Sequence, residues 1–451
     1  MMHRCHRGAI LLGAAAVAAL GATGCGTSVS RSASAANAVP TTLTVPASKG
    51  IVMGGQQPVA GVTLQLYQAG TSGYGSLATA LGSPTQTLPS GNFNLPSYTC
   101  AAGSQVYLVG TGGQPIAAVG SIPAVTNNNL ALMVGLGTCG GTDLNTFINV
   151  NELTTVATVW ALSPFMTGIA NIGTSSTNTA GLANAFAAIN ELVNTSNGAL
   201  SGPALPSGAT LPITEINALA DILEQCVNSG GGVAGDLSGC GTLFQLAPNA
   251  GGTFPTDTIT AAMNMAQTPG RNVAALNRLR STQPVFTPAL DVNSPPTAWT
   301  IAITYVGGGL SAPTSIATDA AGAVWLSNGG NASVTKLNSS GTPVSTSSGF
   351  STGAAGAAPA AVAVDASGNA WVANAGNGTI VELSPAGGTM NTVSSLNAPG
   401  SIAVDGLGNI WVGNPGASTV SAFTGSGAAL AGSPFGGAGI SSPTSVAVTP
   451  K

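Results

Sequence analysis

The chain has 451 residues, of which 44% are hydrophobic, 4% aromatic and only 5% charged. That apolar share excludes a chain left disordered for want of surface to bury, and the 64 glycines keep no three-residue period, which excludes collagen. The net charge of −4 disfavours nucleic acid as a partner, because its binders set clustered Lys and Arg against phosphates.

The first element reads as an export leader. Arg4 and Arg7 precede a charge-free apolar run from Ala9 to Leu20, and Gly21-Ala22-Thr23-Gly24-Cys25 follows. A basic head, a short apolar stretch and a small-residue end make a secretory signal over residues 1–24. The run falls short of the about 20 residues needed to cross a bilayer. Gly21 to Cys25 resembles a bacterial lipoprotein box, with Ala22 where the box usually carries Leu. The resemblance implies cleavage before Cys25, lipidation of its thiol and a membrane held through the acyl chains. The alternatives are an ordinary signal cut nearby or an uncleaved anchor. Residues 25–45 then form the lipidated Cys and a Ser/Ala/Thr-rich tether. The mature chain keeps seven basic residues against 13 acidic ones and no histidine, because His3 and His6 leave with the leader.

Four cysteines remain for pairing: Cys100, Cys139, Cys226 and Cys240. Three connectivities are open. Closeness in sequence and the division into domains favour Cys100–Cys139 and Cys226–Cys240. No Cys-x-x-Cys spacing occurs, so zinc and redox readings are weak, and an oxidising compartment fits better. The expected location is the cell envelope, as an outer-membrane or periplasm-facing lipoprotein.

Residues 46–142 read as short strands. Ile51-Val-Met, Val62 to Tyr67, Val106 to Val109 and Leu130 to Val134 are apolar or alternate with period two, and Gly54 to Pro58 and Ser90 to Asn92 are turn clusters. Such a series predicts a β-sandwich. The stretches GGQQPVAGVTLQLYQAG and SGNFNLPSYTC resemble the carboxypeptidase-regulatory or transthyretin-like sandwich, which implies a spacer or adhesion module and names no chemistry.

Residues 148–283 switch to helical spacing over Asn151–Leu162, Gly181–Val193, Thr214–Val227, Thr256–Ala266 and Arg271–Leu279. Thr214 and Thr256 look like N-caps, each followed by an acid. A small helical domain is expected, with Trp160 in its core, Ser229 to Gly241 as an inert Gly-rich loop, and Arg271, Arg278 and Arg280 on a solvated face.

Residues 298–451 carry an internal repeat. PTSIATDAAGAVWLSN starts at Pro313, PAAVAVDASGNAWVAN at Pro359, PGSIAVDGLGNIWVGN at Pro399, and PTSVAVTPK at Pro443. The prolines step by 46, 40 and 44 residues, and Asp319, Asp365, Asp405 and Trp325, Trp371, Trp411 keep the first two steps. A period of this size predicts β-propeller blades of four strands. Each Asp-x-x-Gly corner is a hairpin turn whose acid bonds its own backbone, so these residues read as structural. Glu382 is a lone strand acid expected to face solvent.

The motif resembles the NHL repeat and the streptogramin-lyase-like propellers. The first copy departs from the pattern, with Ala323 in place of Asn, which predicts a looser turn. The family often has Asp where this chain has Asn328, Asn374 and Asn414. The lyase-like members depend on a histidine base and a metal, and the mature chain offers no histidine, which argues against an enzyme. Three repeats and an opening strand are few for a closed ring. An open arc, completed by another chain or truncated, is expected, with self-association through open blade edges. Trp299 to Tyr305 could add an outer strand.

The resulting expectation is a multidomain, mainly β protein with a central all-α domain: β-sandwich, helical domain, then a partial propeller of NHL-type blades. Its leading function is a non-enzymatic lipoprotein that presents the propeller surface to an unknown ligand or protein, with no cofactor, catalytic residue or metal site. A carboxylate- and metal-dependent lyase or hydrolase is the alternative, and a structural surface spacer the second. Acids converging at the blade axis would favour the enzyme.

Overall fold

A computed structural model describes residues 41–115, 126–141, 147–353 and 356–448. The leader, Cys25 and all but the end of the tether lie outside the described residues. The described chain is mainly β, with several small sheets and six helices.

Eleven strands come first: β1 (Thr42–Val45), β2 (Ser48–Gly54), β3 (Gln57–Ala60), β4 (Thr63–Gln68), β5 (Thr79–Gln86), β6 (Asn92–Leu95), β7 (Tyr98–Ala101), β8 (Gln105–Thr111), β9 (Gln114–Pro115), β10 (Ala131–Thr138) and β11 (Phe147–Val150). One sheet runs β10-β8-β4-β5, and a second runs β11-β2-β3-β9 with β6 also on β2. β1 and β7 form a ribbon, which the Cys100–Cys139 disulfide joins to the chain just after β10. Alternation in β4 sends Leu64 and Leu66 inward against Val52, Val59 and Phe93 of the facing sheet. β8 and β10 do not alternate, because both their faces are covered. Val106, Leu108, Leu132 and Val134 face the other sheet, whereas Tyr107, Val109, Ala131 and Met133 face the helices.

Those helices are α1 (Glu152–Leu162), α2 (Thr179–Leu192), α3 (Ile213–Val227), α4 (Gly239–Leu246), α5 (Thr258–Gln267) and α6 (Val273–Leu279). Two short ribbons intervene, β12 (Met166–Gly168) with β13 (Asn171–Ile172) and β14 (Val193–Asn194) with β15 (Ala199–Leu200). The helices share one hydrophobic core with the outer face of the first sheet. β11, just inside the expected helical segment, pairs in parallel with β2.

β10 is an edge strand whose outward amides have no strand partner, and threonines supply the acceptors. Thr258 Oγ1 takes the N–H of Ala131 at 2.9 Å, Thr155 that of Met133 at 2.9 Å, and Thr158 that of Gly135 at 3.0 Å. All three threonines are buried. This explains their place on faces that apolar periodicity alone would fill, since a buried amide must be paired.

Several local expectations change. Asn151 does cap α1, as its polar place at the head of the segment suggests, in a reciprocal box with Thr154, but the other caps differ. α5 is capped by Asp257, not Thr256, and Pro212 precedes α3. The Gly-rich loop ends early: Ser238 caps α4, and Cys226–Cys240 links the ends of α3 and α4. Trp299 adds no outer strand. It is buried in the helical core, and its carbonyl accepts the Trp160 indole N–H at 2.9 Å.

Three four-stranded antiparallel meanders follow. The first is β16 (Pro313–Thr318), β17 (Val324–Asn328), β18 (Ser333–Leu337) and β19 (Phe350–Ser351); the second β20 (Pro359–Val364), β21 (Ala370–Asn374), β22 (Thr379–Leu383) and β23 (Thr389–Val393); the third β24 (Ser401–Val404), β25 (Ile410–Asn414), β26 (Thr419–Phe423) and β27 (Phe435–Gly436). Their registers match, aligning Ala317, Trp325 and Lys336, then Ala363, Trp371 and Glu382, then Ala403, Trp411 and Ala422. Each indole with a neighbour is sealed by it. Trp325 packs with Val362, Val372 and Leu383 of the second sheet, and Trp371 with Ile402, Ile410 and Val412 of the third. The fourth copy, residues 443–448, forms no strand, and no closed ring of sheets occurs among the described residues.

Candidate functional site

The Asp-x-x-Gly corners are the most regular polar feature of the repeats. Asp319, Asp365 and Asp405 each close the same backbone turn, with bonds of 2.9–3.0 Å from the Asp amide to the carbonyls of Ala323, Asn369 and Asn409. One carboxylate oxygen takes two further amides: Ala321 and Ala323, then Ser367 and Asn369, then Leu407 and Asn409, at 2.8–3.0 Å. Gly322, Gly368 and Gly408 supply the positive φ of each turn. The first turn is therefore no looser than the others, and Ala323 changes only what surrounds the second oxygen.

At that oxygen the modules diverge. Asp405 Oδ2 receives the Trp411 indole N–H at 3.0 Å and the Asn409 amide at 3.0 Å. The Trp411 bond, with the Asn409 and Leu407 amides, holds this carboxyl down at about 2. Asp365 Oδ2 receives Asn369 at 3.1 Å and Trp371 at 3.4 Å. Asn369 also donates to Glu382 at 3.0 Å. Glu382 thus does not face solvent. It is 7% exposed, and burial followed by the Asp365 charge raises its pKa.

In the first module Asp319 instead lies 3.8 Å from the ammonium of Lys336. That ammonium sits 4.4 Å from the centre of the Trp325 ring and donates to the Pro385 carbonyl of the second module at 2.9 Å. The buried indole N–H of Trp325 has no partner. Phe350 of β19 reaches across to Gly387, where a Cβ would lie 2.1 Å from its ring and φ is +83°. Only glycine meets both demands there.

At the opposite strand ends, Asn328 donates to Ser333 and Thr335, Asn374 to Thr379 and the Thr352 carbonyl, and Asn414 to Thr419 and Ser421, at 2.9–3.3 Å. An amide supplies the two donors these oxygens take, which a carboxylate in the same place would lack.

The structure does not bring the three corner acids together, as each is engaged within its own module. Among the described residues no group of three or more His, Cys, Asp and Glu is placed to hold a metal. Beyond the third module, a cleft of about 410 Å³ opens between Asp405, Leu407 and Trp411 on one side and Val446 to Val448 on the other. Trp411, with no further sheet over it, is half-buried, and Leu407 is 71% exposed.

A second cluster lies between the sheets and the helices. Glu152 is fully buried; one oxygen accepts the Gly55 N–H at 2.8 Å and the other has no partner. Burial pushes its pKa to about 8, assisted by the charges of Glu224 and Asp221. Asp221 accepts the amides of Val285 and Phe286 at 3.0 and 2.9 Å and lies 3.9 Å from Arg280, and burial raises it to about 6. Arg280 is therefore no solvated residue: it is 4% exposed and bonds Asn277 and the Leu290 carbonyl. Arg271 bonds the carbonyls of Pro248 and Asn249. Sequence reasoning missed this cluster; the one signal was an acid directly after Asn151 at the head of a helix with no other charge.

No family model matches the chain, and no curated protein does. Solved structures resemble part of it. A streptogramin B lyase is 22% identical over 27% of this chain and 40% of its own, with a TM-score of 0.25. A catalytically inactive virginiamycin B lyase from Staphylococcus aureus with quinupristin is 16% identical over 32% and 47%, at 0.28. A functionally unknown protein from Desulfotomaculum acetoxidans is 14% identical over 33% and 51%, at 0.27. The chain thus spans about 40–51% of the length of these proteins. Two disulfides are compatible with an exported protein, and no described helix is long and apolar enough to cross a membrane.

Proposed function

We propose that this is a non-enzymatic, exported lipoprotein, lipidated at Cys25, which holds an arc of NHL-type propeller blades out from the cell envelope as a binding surface. One observation carries the reading. The acids that the repeat places in register, Asp319, Asp365 and Asp405, spend their lone pairs on their own turn amides and on Asn, Trp or Lys neighbours. A carboxylate so engaged is a poor general base, because proton transfer would cost the turn its bonds. Binding then falls to blade-end loops, which vary on a repeated scaffold. Copies of the chain associate through uncovered flanks, where Ile316 is 65% and Leu407 71% exposed.

The test uses the full chain. Incubation with quinupristin and a divalent cation should leave the compound unchanged, whereas turnover would replace this reading with a lyase. Mass spectrometry should find acyl chains on Cys25, and Cys25→Ser should move the protein from the membrane to the soluble fraction.

A further inference from the structure

Tyr74 sits in the β4–β5 loop, far in sequence from the residues that hold it. Its hydroxyl donates to the Met166 carbonyl at 3.0 Å, yet the residue is 61% exposed. With the hydroxyl tied down, what water reaches is mostly ring. The loop itself is fixed along β13: Gly70 donates to Ile172, Gly73 to Thr174 and Gly75 to Gly173, at 2.9–3.1 Å. Thr167 adds a bond to the Gly75 carbonyl at 3.2 Å. The ring is thus a rigid aromatic plate at the surface, which avoids the ordering cost of a free side chain.

Beside it lies a depression of about 270 Å³, lined by Tyr74, Pro164, Phe165, Thr174, Ser175 and Asn178. Asn178 stands at the N-cap of α2 but makes no capping bond through its side chain, so its amide is available to a ligand. Ser175 and Thr177 share a hydroxyl–hydroxyl contact at 3.0 Å on the same rim. No charged residue lines the depression.

We propose that this depression is a binding site for a neutral saccharide. A pyranose has one face of C–H groups and a girdle of hydroxyls. The Tyr74 and Phe165 rings match the first, and the Asn178 amide with the Ser175 hydroxyl matches the second. A charged ligand finds no counter-ion here. A wholly apolar one leaves the amide unanswered. The site is separate from the propeller-like repeats, so it stands whether or not the reading of their function does.

The experiment titrates full-length protein with maltohexaose, cellohexaose, laminarihexaose and chitohexaose by calorimetry. A sulfated oligosaccharide and a hexaproline peptide serve as comparators. At least one neutral oligosaccharide should bind more tightly than about 10 mM, with an affinity that does not change with salt. Tyr74→Ala should weaken it at least about tenfold, Asn178→Ala by about threefold or more, and Tyr74→Phe less than Tyr74→Ala. Because Tyr74 and Asn178 are exposed, these variants should melt with the parent, and a melt checks this. Absence of binding by every neutral sugar, or binding indifferent to Tyr74→Ala and Asn178→Ala, overturns the proposal. Hexaproline bound at Tyr74 while the sugars fail overturns the ligand class.

Discussion

Glu152 is the residue whose charge the fold controls most tightly, and replacing it by Gln tests that control. Its carboxyl is fully buried and keeps one oxygen without a partner. Burial is the main cause of a rise from 4.5 to about 8. Glu224 and Asp221 add to it, and the amides of Gly55 and Glu152 itself oppose it. In the unfolded chain the group titrates near 4.5. Between the two values the native state holds a proton that the unfolded state has released. Stability therefore falls as pH climbs from about 4.5 through about 8, and levels off above that. The gap of about 3.5 pH units, at about 1.4 kcal/mol each, makes a penalty of at most about 5 kcal/mol at pH 9. Glu152→Gln keeps the acceptor for Gly55 and removes the titration. Urea unfolding followed by tryptophan fluorescence at pH 5, 7 and 9 should give nearly equal stabilities at pH 5. The variant's advantage should grow to several kcal/mol, up to about 5, by pH 9. Asp221, raised to about 6, steepens both profiles alike and drops out of the difference. Parallel profiles across the range would refute the reasoning, because a buried, half-bonded carboxylate cannot be indifferent to its charge.

Other consequences can be measured on the same footing. Trp371→Ala removes an indole buried between two modules and should cost about 3–5 kcal/mol; Trp411→Ala, at a half-buried site, should cost clearly less in the same unfolding assay. Thr158→Val leaves the buried Gly135 amide without its acceptor and should destabilise by about 1–3 kcal/mol, while hydrogen exchange at that amide quickens. Asp405 has its native pKa held at about 2 against an ordinary 3.8. It adds stability above about pH 4 that is lost as pH falls toward about 2, so Asp405→Asn should flatten the acid limb of the stability profile.

The repeats were legible because their signals are local and periodic. The corner needs only an Asp, a Gly and four residues of chain, so Asp319, Asp365 and Asp405 announce it without any long-range contact. The strands of the first two sheets were also readable, yet the unbroken apolar run of β8 does not say what covers its second face. The covering is the helical layer, which is why helices expected to stand apart share a core with Tyr107 and Met133. α4 was hidden by the glycines before it, since only the Ser238 cap marks its start. Glu382, Arg280 and Glu152 were misplaced or missed for one reason. Their partners are Asn369, Asp221 and Gly55, at 13, 59 and 97 residues' distance along the chain, and so few charged residues leave no pattern from which such pairs could be read. Tyr74 escaped in the same way, being oriented by Met166 at a separation of 92 residues.

The Lys336 contact has a wider consequence. Here the ammonium of one unit is seated on the Pro385 carbonyl of the next, and the matching positions elsewhere carry Glu382 and Ala422. The first unit is keyed to the one that follows it. A chimera that reversed their order would take the Pro385 carbonyl from this ammonium while leaving Asp319 and the Trp325 ring beside it, so the units are not equivalent neighbours.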